Sequence, residues 1–349
     1  MTTLRWLRLG WILAFAWCLL RCGTLSFVNG HERPLNASSR PFRVVLSTCL
    51  WQRAELSEFV LSHYRNMSLE LAARQDPIQL DMVVAGSEEE ARRVAQNYGA
   101  FYVDVQNEPL GRKHNAALAL AREQAPDLDA LVVVGSDDVV NANYFVMLRD
   151  AFTGASFALQ SPLPLMEPVP QTIQPRHHVL GLLDIYFLEL KSGRLVYSAG
   201  YKTFENPIFG SMGLGRAYSG ALLRLLDWTL WDDDLNSRLD RSAATNLITR
   251  APLPAENALV YLGKHHDVVA VDIKTAAFAS SGLGNNIWSF DILLEASSKS
   301  GRLHAFEDID DVPSFFQTHF SGTFWTALLL LRNELIEKER RAKAPHDEL

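Results

Sequence analysis

No tract of lysine and arginine stands out in this chain, where 33 Lys and Arg face 40 Asp and Glu for a formal net charge of −7. A phosphate backbone is gripped by a basic face, so this balance speaks against a nucleic-acid partner. Cysteine is scarce, with 3 in 349 residues. Cys18 and Cys22 fall in the N-terminal apolar segment, which leaves Cys49 without an internal disulfide partner, and stability has to come from a packed core. A membrane-length apolar run is missing too. The stretch Leu9 to Leu20 (LGWILAFAWCLL) falls short of the roughly 20 residues that a spanning helix needs.

What is present at the two ends reads as an address. Arg5 and Arg8 precede the short apolar stretch, the pattern of a secretory signal peptide (or signal-anchor) over residues 1–26. Residues 27–41 are polar and turn-rich and read as a linker. The chain closes on His346-Asp347-Glu348-Leu349, the HDEL sequence that a retrieval receptor reads on proteins of the endoplasmic reticulum lumen. That compartment, and the HDEL receptor as a partner, are therefore the expectation. Two sequons, Asn36-Ala37-Ser38 and Asn66-Met67-Ser68, suit glycosylation there, with Asn66 expected near a helix end.

Between the ends, the 48% hydrophobic content suffices for a large core. The run Val44-Val45-Leu46-Ser47 predicts a buried strand, and Leu56, Phe59, Val60 and Tyr64 recur at helical spacing after it. Strands over Leu80–Ala85, Phe101–Val105 and Leu131–Gly135 alternate with helices over Glu88–Tyr98 and Lys113–Gln124. Such alternation implies an α/β fold with a mostly parallel sheet flanked by helices, whose ligands gather beyond the carboxyl ends of the strands. A proline-rich loop (Pro162 to Pro175) separates a first half, 42–150, from a second half, 151–330, of one domain, and a charged tail occupies 331–349. The second half opens with an antiparallel hairpin over Asp184–Leu190 and Arg194–Ser198 around the turn Lys191-Ser192-Gly193. A glycine-rich loop (Gly210, Gly213, Gly215), a helix over Ser219–Leu230, a strand over Val268–Ile273 and a helix from about Phe315 follow.

Three groups of residues bear on chemistry. Leu131-Val132-Val133-Val134-Gly135-Ser136-Asp137-Asp138 delivers adjacent carboxylates to the carboxyl edge of the sheet, where like charges need a cation. Oxygen donors of this kind suit Mg²⁺ or Mn²⁺, which in turn bind diphosphates; the other reading of Asp138 is a helix N-cap. Pro109-Leu110-Gly111-Arg112-Lys113-His114-Asn115 opens a helix whose first amides favour an anion, with Arg112 or Lys113 available for a phosphate and Asn115 for a base or ribose. Trp231-Asp232-Asp233-Asp234 precedes a helical pattern and supplies carboxylates for general-base work or for a helix N-terminus.

Taken in order, these segments resemble the family-2-like GT-A glycosyltransferases, over about residues 42–250. The resemblance implies that the first half binds a nucleotide-diphosphate sugar and that an Asp-x-Asp motif holds a metal on the diphosphate. Asp137 matches the second aspartate of that motif with Asp138 beside it, and Gly135 stands where the family has the first. Thr48, Gly111, Arg112, Lys113, Asn115 and Ser136 fall on the nucleotide side. Arg216, in Gly213-Leu214-Gly215-Arg216-Ala217-Tyr218-Ser219, matches the loop facing donor and acceptor. Asp234, with Asp233 second, matches the base that activates a glycan, protein or lipid hydroxyl for an inverting transfer. Trp228 and Trp231 offer rings for an acceptor sugar, with core packing the other reading for at least one of them. No third metal ligand is assigned among His265, His266 and His304. Two alternatives stay open: a non-catalytic glycan-binding module on the same fold, for which Gly135 is the argument, and another metal-dependent nucleotidyltransferase.

Overall fold

The computed structural model describes residues 40–154, 177–202, 210–251, 258–261, 263–281, 289–300 and 303–343. The segment expected as a signal peptide, the sequon at Asn36, the proline-rich loop and the HDEL terminus lie outside the described residues. Among them, no helix is long and apolar enough to cross a membrane.

The first half alternates as its sequence pattern demands. Strands β1 (Phe42–Cys49), β2 (Ile78–Gly86), β3 (Phe101–Asp104) and β4 (Ala130–Val133) are separated by α1 (Ala54–Ala72), α2 (Glu89–Asn97) and α3 (Leu110–Gln124). β1 pairs in parallel with β2 and β4, and β2 with β3. Because helices cover both faces, β1 is apolar almost throughout, and its successive residues serve opposite cores. Val44 and Leu46 pack with Leu56, Val60 and Tyr64 of α1, while Val45 packs with Ala117, Leu118 and Ala121 of α3. Asn66 sits on the exposed face within α1 rather than at its end, with the Ser68 hydroxyl donating to the Arg65 carbonyl at 2.7 Å.

The second half completes this sheet and builds another. β6 (Val179–Leu182), β9 (Arg216–Ser219) and β10 (Ala258–Tyr261) extend the first sheet to the order β10-β6-β9-β4-β1-β2-β3. β9 runs antiparallel to both β4 and β6. A second sheet has the order β12-β8-β7-β11-β5, formed by β5 (Asp138–Val140), β7 (Ile185–Glu189), β8 (Arg194–Ser198), β11 (Ala270–Lys274) and β12 (Glu307–Asp308). The expected hairpin is β7–β8, closing on Gly193. The remaining helices are α4 (Ala142–Thr153), α5 (Gly220–Leu225), α6 (Leu239–Arg250), α7 (Phe290–Ser300), α8 (Val312–His319) and α9 (Phe324–Lys343).

Three elements differ from expectation for identifiable reasons. The helix foreseen over Ser219–Leu230 is the short α5, which ends at Leu225 before Asp227 (φ 49) and Trp228 (φ 54) leave helical geometry. The helix foreseen from Phe315 is two helices, because the chain leaves helical geometry at Phe320 (φ −124, ψ 173) before Ser321 and Gly322. The segment foreseen as loop before Ser219 is strand β9, whose residues Arg216, Ala217, Tyr218 and Ser219 are all buried. Alternation was absent there because both faces are covered.

α8 and α9 pack on α1 through an aromatic group that encloses His63. Its ring centroid lies 5.0 Å from Phe324, 5.1 Å from Tyr64 and 5.6 Å from Phe320. Its Nε2 bonds the Val140 carbonyl at 2.8 Å, so the neutral ring donates into the end of β5. Burial pushes the pKa from the ordinary 6.5 down to about 4, against the upward pull of the Val140 hydrogen bond. His114 is likewise driven to about 4, first by burial and then by the Lys113 charge. A histidine whose folded pKa lies below its unfolded one stabilises the fold above the unfolded value, and this contribution is lost as pH falls through 6.5 towards 4. Each of the two then removes about 2 kcal/mol by pH 5. His63→Gln keeps an N–H for Val140 but cannot protonate. Urea-unfolding free energies of this variant should fall less than wild type between pH 7 and pH 5, by about that amount; equal losses would refute the assignment.

Candidate active site

The chain leaves the first sheet where β4 ends. The Val134 amide still bonds Ser47 at 3.1 Å, and after Gly135, Ser136 and Asp137 the chain enters the second sheet as β5. β5 pairs antiparallel with β11, which sets Asp272 directly across from Asp138. The Ile273 amide bonds the Asp137 carbonyl at 2.8 Å and fixes the register at that end. One carboxylate oxygen each from Asp137, Asp138 and Asp272 therefore lies within 4.8 Å of the others.

Neither aspartate of the pair is a helix cap. Asp138 is the first residue of a strand, and the residue before α4 is Asn141, whose side chain instead ties Val269 (3.1 Å to its amide) and Asp267 (2.7 Å to its carbonyl). The capping alternative is thereby excluded.

Like charges so close need compensation. Arg53 bonds Asp137 at 3.0 Å and Ser136 Oγ at 2.7 Å, and Lys274 Nζ bonds Asp272 at 2.5 Å. Burial opposes ionisation of Asp137, but the charges of Arg53 and Lys274 prevail and hold its pKa below the ordinary value. Asp138 goes the other way: burial, then the charges of Asp272 and Asp137, raise it well above the carboxylate range. Asp272 is raised to about 6, by burial first and by Asp137, against the pull of Lys274. Its Oδ1 is buried and has no hydrogen-bond partner among the described residues. A hard divalent cation fits this set: three carboxylate oxygens, one of them orphaned among the described residues, in a spot where two ionisations are suppressed by burial and by mutual repulsion.

Gly135 belongs to this geometry. Its amide donates to Asp138 Oδ2 at 2.6 Å. A Cβ there would stand 2.7 Å from Asp138 Oδ2 and 2.8 Å from Asp137 Oδ1. The residue that departs from the family's pattern is thus the one that lets both carboxylates fold over the turn.

The cluster opens into a pocket of about 590 Å³, with Gly135, Asp138, Asp272 and Lys274 on its wall. Arg216, Asp240, His114 and Trp231 line the same pocket. Arg216 is buried, donating to the hydroxyl and carbonyl of Ser211, each at 3.0 Å, and standing 3.5 Å from the Asp240 carboxylate. Gly213 leaves room for that carboxylate, since a Cβ would sit 3.0 Å from Asp240 Oδ2.

The other expected residues serve different ends. The turn 231–236 docks on the start of α3 and consumes its free amides. Leu110 N donates to Asn236 Oδ1 at 3.0 Å, Gly111 N to Leu235 O at 2.8 Å and Arg112 N to Asp233 O at 3.2 Å. Gly111 is needed because a Cβ would collide with the Asp232 carbonyl at 2.0 Å. Asn115 spends both ends of its amide on this turn, donating to Trp231 O (2.7 Å) and Asp233 Oδ1 (2.8 Å) and accepting from Leu230 N and Trp231 N (3.2 Å each). The helix start is thus occupied by protein carbonyls in place of a phosphate.

Lys113 is buried, with Nζ on the Leu50 carbonyl (2.6 Å) and Asn107 Oδ1 (2.8 Å), and Arg112 is exposed beside Asp234 at 3.5 Å. Thr48 is fully buried, its hydroxyl without a hydrogen-bond partner among the described residues, and Ser136 is buried under Arg53. Asp233 and Asp234 are exposed and do not line the pocket. The reason is helix position: α6 begins only at Leu239, after Arg238 at φ 58, so the acid in its first turn is Asp240. Trp228 and Trp231 are both buried, Trp231 against His114 with centroids 4.9 Å apart. Sequence reading missed Asp272 and Asp240. The signal for the first was an acid interrupting the apolar run Val268 to Ile273, and for the second an acid one residue into a helix.

No protein-family model matches the chain, and no curated protein matches it. Solved structures do. Glucosyl-3-phosphoglycerate synthase from Mycobacterium tuberculosis, solved with Mn²⁺, uridine-diphosphate and glucosyl-3-phosphoglycerate, matches at TM-score 0.38 and 14% identity, over 74% of this chain and 80% of its own. A cytidylyltransferase from Leptospira borgpetersenii matches at 0.31 and 13%, over 75% and 96%. A 4-diphosphocytidyl-2C-methyl-D-erythritol synthase matches at 0.35 and 11%, over 64% and 90%. Likeness this distant leaves the chemistry to be argued from the site.

The turn at Gly135 gives a test. Gly135→Asp, which installs a first aspartate to complete an Asp-x-Asp sequence, should displace both neighbouring carboxylates and weaken Mn²⁺ binding by about 10-fold or more, as displaced ligand supports do. Titration followed by the Mn²⁺ electron-spin signal measures this, and unchanged or tighter binding would show that the turn does not set the ligand geometry.

Proposed function

We propose that the chain is a metal-dependent glycosyltransferase of the endoplasmic reticulum lumen, moving a sugar from a nucleotide-diphosphate donor to a hydroxyl acceptor with inversion. The observation that carries this reading is the convergence of Asp137, Asp138 and Asp272, the last two on the wall of a pocket that also holds a separate carboxylate, Asp240. The leader-like N-terminus and the HDEL terminus support the compartment.

In this reading Asp137, Asp138 and Asp272 hold Mn²⁺ or Mg²⁺, which supplies positive charge against that building on the leaving diphosphate. Lys274, on the same wall, adds a fixed cation of the protein's own. Asp240 takes the proton from the acceptor hydroxyl as its oxygen bonds the anomeric carbon, while the bond to the diphosphate breaks and the electron pair leaves with it. The role that the sequence assigned to Asp234 or Asp233 thus moves along the chain to Asp240. Among the described residues that line the pocket, Asp240 is the one carboxylate outside the proposed metal cluster, which supports a single base and inversion.

A screen of nucleotide sugars with Mn²⁺, following release of nucleoside diphosphate, tests the reading against the nucleotidyltransferase alternative, which would instead release pyrophosphate from a nucleoside triphosphate and a sugar phosphate. Asp137→Ala should abolish Mn²⁺-dependent nucleotide binding. Asp240→Asn should leave that binding intact and lower turnover by about 10²-fold or more, the loss expected of a general base. Asp234→Ala should stay within a few-fold of wild type. Full activity in Asp240→Asn would remove it as the base, and an anomeric assay showing retention would end the inverting mechanism.

A further inference from the structure

The cations that meet the three carboxylates are held in different ways. Lys274 is buried on β11 and bonds Asp272 Oδ2, which leaves the orphaned Oδ1 to a metal while the lysine stays in place. Arg53 is the residue before α1 and reaches the cluster with its side chain, donating to Asp137 Oδ2 at 3.0 Å and to Ser136 Oγ at 2.7 Å. The backbone that carries it is pinned. Leu50 N donates to Ala85 O at 2.9 Å, Gln52 N to the Glu88 carboxylate at 2.7 Å and Ser57 N to Arg53 O at 2.9 Å. Gln52 lies in the left-handed region at φ 53, a conformation that such anchors have to hold. A guanidinium on a long stem can change partners by side-chain rotation alone while that backbone stays fixed. Arg53 also lines a second cavity, of about 370 Å³, together with Trp51 and Glu88.

A guanidinium 3.0 Å from a ligand carboxylate opposes an arriving Mn²⁺ or Mg²⁺ by charge repulsion, and by direct competition where the ion takes Oδ2. The same planar fork suits the oxygens of a diphosphate. Resting on the glycosyltransferase reading, we infer that Arg53 is an exchanging counter-cation, held on Asp137 until a metal takes that carboxylate and then passed to the diphosphate of the donor. The two binding steps therefore depend on Arg53 in opposite directions. It hinders the metal alone and helps the metal–diphosphate pair. A guanidinium that only braced the Ser136–Asp137 turn would support both steps alike.

The test measures Mn²⁺ binding to the full chain by its electron-spin signal. Binding of UDP, GDP and inorganic pyrophosphate, each as its Mn²⁺ complex, is then followed by calorimetry. Arg53→Met should tighten binding of Mn²⁺ alone about tenfold, because a charge beside the site is removed. The same variant should weaken binding of the Mn²⁺–diphosphate probes about tenfold or more, because a charged hydrogen-bond donor is lost. Arg53→Lys keeps the charge and loses the fork, so it should bind Mn²⁺ like wild type and the diphosphate probes more weakly. Thermal melting monitors the fold. Where Arg53→Met does not fold, Arg53→Gln, which keeps a donor for Ser136 without the charge, takes its place with the same two signs expected. Both affinities falling together, or a Mn²⁺ affinity indifferent to loss of the charge, overturns the inference and leaves the transferase reading standing. Tighter Mn²⁺ binding in Arg53→Met, with no diphosphate probe bound by wild type or variant, removes the transferase reading and the diphosphate half of the inference with it.

Discussion

Three carboxylates are held within reach of one another although each makes ionisation of the others harder, and the junction of the two sheets is organised around keeping them there. Asp137 and Asp138 arrive on the chain crossing from β4 to β5, and Asp272 arrives on the strand that β5 must pair with. None of the three is free to relax away: the first is tied by its carbonyl to Ile273, the second by its carboxylate to Gly135, the third by Lys274. Arg53 and Lys274 compensate part of the charge from outside the cluster. The remainder appears as the suppressed ionisation of Asp138 and Asp272 and as an orphaned Asp272 oxygen. A purely structural network would be expected to satisfy such an atom, because leaving one unsatisfied costs about 1–3 kcal/mol. A cation-binding site leaves it waiting.

How much of this was legible depends on the range over which each feature is encoded. The parallel half of the sheet is written locally: Val44 to Ser47 and Leu131 to Val133 are runs that only a doubly covered strand carries, and the helices between them show their spacing in Leu56, Val60 and Tyr64. Asp137 and Asp138 were legible for the same reason, as charges at the end of such a run. Asp272 was not, because its role is created by antiparallel pairing with a strand more than a hundred residues earlier in the chain. β9 was hidden by its brevity and its burial on both faces, which leave no periodicity to read.

Motif matching names residue types, and the structure shows which protein groups those residues meet. Gly135 was read as a missing aspartate, but the space it leaves is filled by the two carboxylates that follow it. Gly111, Arg112 and Asn115 were read as a phosphate and nucleoside cradle. A helix N-terminus presents unpaired amides to whatever acceptor is nearest, and in this chain the turn 231–236 reaches it first with its own carbonyls.

That docking decides which acid faces the pocket. Because Asn115 pins Leu230, Trp231 and Asp233 to α3, the acidic turn lies outside, with Asp233 and Asp234 in solvent. The chain must then travel on to Leu239 before it can start α6, and the first carboxylate it brings back to the pocket is Asp240, between the Arg216 guanidinium and the space over Gly213. Asn115 therefore governs the site from a distance. Its amide is fully used, and no substitution of similar size offers two donors and an acceptor in that arrangement, so the identity of residue 115 follows from the placement of residue 240 and needs no contact with a nucleotide to explain it.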